Sequence, residues 1–167
     1  MIASMDRTRL VYAIVVSLCS VVVACNQPLR PIPLSDALRA HVKDERFQTV
    51  TSIRGLPLGV LYGLENLFGN QTLDMVEPEA KLRFTDVIIN PTMPRRRLVM
   101  AGCSVEYCLV YYERRGIAHT WHVALFHWTP AATRFEWGGA APGKLATIDD
   151  VRKAVLSGAI KGQARVW

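Results

Sequence analysis

Long apolar runs are missing from this sequence. The longest mostly apolar stretch, Leu10 to Ala24, has 15 residues, short of the ~20 that a helix needs to cross a bilayer. The signatures of common catalytic centres are missing too. There is no His-Glu-x-x-His, no Gly-x-Ser-x-Gly and no glycine-rich phosphate loop. Histidine is scarce, four in 167 residues, and its spacing excludes a shared metal ion. His119 and His122 lie three apart on an expected strand, and His122 and His127 five apart, so each pair points to opposite faces. His119 and His127 share a face but stand about 27 Å apart at ~3.4 Å per residue. No catalytic residue, metal or cofactor is therefore assigned, and no nucleic-acid partner is expected. Internal repeats are absent, as is low-complexity sequence apart from one proline-rich stretch.

Arg7 and Arg9 precede the apolar stretch, which ends in Val22-Val23-Ala24-Cys25. A short positive region, an apolar core and a small-residue end make a signal peptide over 1–24. The last four residues resemble the bacterial lipobox, with an aliphatic residue three before the cysteine and a small one directly before it. Valine stands where leucine is commoner in that signal. The resemblance implies cleavage before Cys25, diacylglycerol on its sulfur and acylation, palmitate-like, of the new N-terminus. Two or more chains anchor stably where one does not. Asn26 follows the cysteine, where aspartate is associated with inner-membrane retention, so the outer membrane is the expected destination. The expected partner is thus a membrane, held through lipid and faced from the periplasm.

Residues 25–34 carry Pro28, Pro31 and Pro33 and read as a semi-rigid tether of roughly 25–30 Å at ~3.1 Å per residue. The remainder, 35–167, is one domain by size. Loss of Arg7, Arg9 and Asp6 with the leader leaves 18 basic against 13 acidic residues, a formal +5. That balance suits an anionic partner without identifying one.

Ser35 is placed to cap a helix running to about Glu45, and Phe47 to Ile53 is β-rich. Pro57 opens a second helix that Gly69 stops, with Gly59 and Gly63 four apart to allow close approach. Strands are predicted over 81–89, 97–103, 108–114, 118–128 and roughly 134–138. Thr147-Ile-Asp-Asp150 resembles a capping box for a last helix ending at Gly158. The expected fold is α+β: an antiparallel β-meander of about five strands, with N- and C-terminal helices packed on one face.

Cys19 leaves with the leader and Cys25 takes lipid, so Cys103 and Cys108 remain as a disulfide pair in an oxidising compartment. Pairing them across a four-residue turn sets Val99 opposite Tyr112, Ala101 opposite Val110 and Arg97 opposite Arg114. A two-residue Arg115-Gly116 turn then places His119 beside Tyr112 and Trp121 beside Val110. The face carrying Val99, Ala101, Val110, Tyr112, Trp121, Val123 and Leu125 becomes the core side. Most aromatics between Tyr107 and Trp137 read as core filling. Tyr111, Phe126 and Trp128, on the opposite face, form a binding surface unless a helix covers them.

The same register gathers Arg95, Arg96, Arg97, Arg114 and Arg115 at the sheet end away from the disulfide. Such a cluster either stays solvated or takes an anionic envelope component or an envelope protein, since arginine binds phosphate and carboxylate bidentately. The leading functional expectation is a non-enzymatic binding or accessory protein of the envelope. The alternatives are an enzyme acting on envelope polymers and a periplasmic inhibitor or immunity-type protein.

Overall fold

The computed structural model describes residues 31–69, 72–82, 94–116 and 118–163. The expected signal peptide, the lipobox-like residues and Arg7 and Arg9 lie outside these residues, as does all but the start of the strand expected at 81–89. Among the described residues, no helix is long and apolar enough to cross a membrane.

The fold is α+β. Among the described residues, three α-helices, α1 (Asp36–Asp44), α2 (Leu58–Phe68) and α3 (Ile148–Leu156), accompany six strands. These are β1 (Gln48–Val50), β2 (Arg96–Cys103), β3 (Tyr107–Arg114), β4 (Thr120–Trp128), β5 (Thr133–Ala141) and β6 (Lys161–Gly162). They form one antiparallel sheet in chain order, one strand more than the five expected. The helix ends follow local chemistry. The Ser35 hydroxyl accepts the Leu38 N–H at 3.3 Å, and Thr147 and Asp150 make the reciprocal box that satisfies two otherwise orphaned N–H groups. Gly69 ends α2 at φ 68°, a left-handed conformation that costs glycine little.

Helices cover both faces of the sheet. α1 and α3 share one face, where Val42, Val151 and Val155 pack on Leu109, Tyr111, Val123 and Leu125. The opposite face is covered by α2, whose Val60 and Leu64 pack on Leu98, Val110, Tyr112 and Phe126. Gly59 and Gly63 bring α2 that close: a Cβ on Gly63 would stand 2.8 Å from a Phe126 ring carbon. β3 is therefore buried along Tyr107–Glu113, with apolar side chains on both sides rather than alternating with polar ones. The surface anticipated from Tyr111, Phe126 and Trp128 does not exist as such. Tyr111 and Phe126 are fully buried, on opposite faces.

Two irregularities correct the expected register. Pairing runs as predicted from Cys103↔Cys108 to Ala101↔Val110 and on to Met100↔Tyr111. A bulge between Leu98 and Met100 then shifts it by one, giving Leu98↔Tyr112, Arg97↔Glu113 and Arg96↔Arg114. Val99 does not face Tyr112, and Arg97 does not face Arg114. The second correction lies at the next turn. Arg114 pairs with Thr120 and Tyr112 with His122, so the connection is longer than two residues. The sum of partner numbers changes by an odd amount, which sends Trp121, Val123 and Leu125 to the face away from Val110 and Tyr112.

The free edges are short and occupied. Val76 forms a bridge to Arg97 beside β2, with its N–H donating to the Arg96 carbonyl at 3.0 Å. At the other edge the chain enters the domain through Ile32. Its N–H donates to the Gly162 carbonyl at 2.9 Å, its carbonyl accepts the Trp137 indole N–H at 3.0 Å, and Leu34 beyond it is buried.

Candidate functional site

The arginines do collect at the sheet end away from Cys103 and Cys108, but the pleat divides them between two faces. Arg96 and Arg114 form a cross-strand pair on the α2 side. Arg97, opposite Glu113, faces the other way. Arg115 follows Arg114, with its N–H donating to the Arg95 carbonyl at 2.9 Å. The cysteines sit opposite one another at disulfide-bonding distance, with Cα atoms 4.0 Å apart.

On the α2 side the chemistry is inward. Arg96 is 4% exposed. Its guanidinium pairs with Asp74 and lies 3.9 Å from the centroid of the Phe68 ring, a cation–π contact. Burial lowers its pKa and Asp74 opposes that shift. Next to it, Tyr112 and His122 stack with ring centroids 5.4 Å apart. The His122 Nε2 lies 2.8 Å from the Thr120 hydroxyl. Burial pushes the His122 pKa from 6.5 down to about 4, with Arg114 and Arg96 adding to the effect. The imidazole is therefore neutral at ordinary pH. Burial likewise raises the Tyr112 pKa, against the opposing pull of Arg96. Arg96, Tyr112 and His122 are all buried here.

The other face is different. Glu113 is 4% exposed and sits at the floor of a cleft of about 280 Å³. Arg97 pairs with its Oε1. Arg115 Nη2 stands 3.8 Å from Oε2, and His119 Nε2 stands 2.5 Å from the same oxygen. The His119 ring leans on Trp121, centroids 4.3 Å apart at 36°. Exposed Lys144 arrives from the segment after β5, and Glu79 from the segment ahead of β2. Three permanent cations and an imidazole thus meet two carboxylates in one concavity.

Of the five arginines singled out from sequence, the cleft uses Arg97 and Arg115. Arg96 is taken up by Asp74, and Arg95 is exposed, with its backbone N–H donating to Asp74 Oδ1 at 2.7 Å. The expected cluster of five arginines is divided, and Asp74 and Glu113 offset much of its charge. Sequence reasoning missed Glu113, His119, Trp121, Lys144 and Glu79. The available signal was Glu113 itself, a charge that continues the apolar run Tyr107-Cys-Leu-Val-Tyr-Tyr112.

A second concavity, of about 600 Å³, runs between α2 and the β4–β5 turn and is lined by Leu58, Tyr62, Trp128 and Pro130. It carries no charged side chain, so nothing in it selects a ligand by charge. Among the described residues no group of three or more His, Cys, Asp or Glu side chains is placed to hold a metal ion. The chain matches no protein-family model, no curated protein and no solved structure.

Proposed function

We propose that this chain is an envelope lipoprotein, held to the membrane by lipid on Cys25, whose domain binds an anionic envelope component without transforming it. The lipobox-like Val22-Val23-Ala24-Cys25 and the Asn26 after it support export and an outer-membrane destination. Cys103 and Cys108, at bonding distance, suit the oxidising periplasm. The observation that carries the binding reading is the convergence of Arg97, Arg115, His119 and Lys144 on one concave site. Cations held at a recessed site by a buried carboxylate are already ordered, so an incoming anion meets a preformed set of donors.

Two experiments test the two halves. Cys25→Ser should abolish labelling by a fatty-acid analogue and block processing; normal labelling and maturation of that variant would end the lipoprotein reading. Purified, processed protein should bind anionic cell-wall fragments more strongly at low than at physiological salt, because exposed charges are screened over about 8–10 Å. Replacing Arg97 and Arg115 together with glutamine should remove that binding. Equal retention by wild type and variant would reduce the cleft to a structural ion-pair cluster.

A further inference from the structure

We infer that the cleft at Glu113 accepts a ring-borne anion: a single sugar unit carrying a carboxylate or phosphate. The inference rests on the anion-binding reading above and narrows its ligand class.

A bare anion is poorly served by this site. Arg97 and Arg115 already face Glu113, and Glu79 adds a second carboxylate to the lining. An incoming phosphate or acetate would gain the cations and meet repulsion from two acids. Carboxylates are acceptors only. A ligand satisfies this lining fully when it brings hydroxyl donors for Glu113 and Glu79 along with negative charge for Arg97, Arg115 and Lys144. Hydroxyls and an acidic group on one small frame meet that demand.

The aromatic wall narrows the choice further. Trp121 is half-buried and lines the cleft, with His119 leaning on it. An indole face carries negative quadrupole density, and the C–H bonds on one side of a pyranose present the complementary positive edge. Size agrees. A space of about 280 Å³ is at the small end of ligand sites, with room for one ring and its substituents but not for an acyl chain or a peptide strand. The recess also disfavours an intact bilayer surface, whose phosphates cannot reach the neighbourhood of a carboxylate that is 4% exposed.

The test is calorimetric titration of the full, processed lipoprotein in detergent micelles at low salt. The probes are glucuronate, glucose 6-phosphate, glucose, acetate and inorganic phosphate. At least one acidic sugar should bind roughly tenfold or more tightly than glucose, acetate or phosphate, and the first two probes tell carboxylate from phosphate. Trp121→Leu should erase the preference for the acidic sugar over the simple anions. Lys144→Met, at an exposed position that leaves the fold intact, should weaken the acidic sugar several-fold. If acetate or phosphate binds as tightly as the tighter of the two acidic sugars, the sugar inference fails and the anion site stands. If no anion saturates the protein, or glucose binds equally well, both fail. Unchanged acidic-sugar affinity in Lys144→Met would place the ligand elsewhere and overturn the assignment.

Discussion

Acidification should destabilise this domain through His122, and the size of the effect follows from where the imidazole sits. It is 1% exposed, stacked on Tyr112, near the Thr120 hydroxyl and within the fields of Arg114 and Arg96. In the unfolded chain it binds a proton below about pH 6.5; in the folded domain it does so only near 4. Between those values unfolding takes up a proton, so stability falls as pH falls. At about 1.4 kcal/mol per unit of pKa difference, the loss reaches about 3 kcal/mol between pH 7 and pH 4. That is a large share of a typical 5–15 kcal/mol total. Urea unfolding followed by tryptophan fluorescence, repeated across that pH range for wild type and His122→Gln, measures it. Glutamine keeps a hydrogen-bonding partner for Thr120 and does not titrate. Other groups titrate in both proteins alike, so the difference between the two pH slopes isolates His122. Parallel slopes would refute the reasoning and mean that the imidazole is protonated, or solvated, in the folded state.

Two further outcomes are expected. Asp74→Asn removes the carboxylate facing buried Arg96 and should cost about 3 kcal/mol in denaturant unfolding, more than Arg96→Met, which removes the buried charge itself; the reverse order would mean that Arg96 is held by something other than Asp74. Gly63→Ala should lower the melting temperature, although alanine is worth up to ~1 kcal/mol over glycine in a free helix, because the new Cβ would meet Phe126 at 2.8 Å; a raised melting temperature would show that α2 has room to move outward.

How much of this was legible depended on whether the signal was local. Ser35, Gly69 and the Thr147–Asp150 box fix helix ends through bonds within a few residues, and each was readable. The pairing of Cys103 with Cys108 set the first rungs of the β2–β3 ladder for the same reason. The bulge beside Val99 leaves no trace in composition. The length of the turn before Thr120 was misjudged because Arg115-Gly116 looks like a complete hairpin turn. Each error reverses which face the side chains beyond it take, so Trp121 was assigned to the wrong layer. Arg97 and Arg115 were found because they are close in sequence to other arginines. Lys144 and Glu79 come from segments far along the chain in either direction, and only the folded sheet brings them to the same cleft.

The bonds at Ile32 bear on how the domain is carried. With Ile32 tied to Gly162 and to the Trp137 indole, and Leu34 in the core, the residues leading into α1 are part of the folded domain and are fastened to its β5–β6 edge. A pull on Ile32 would load the β5–β6 margin first, two or more strands away from Arg97 on β2 and Glu113 on β3.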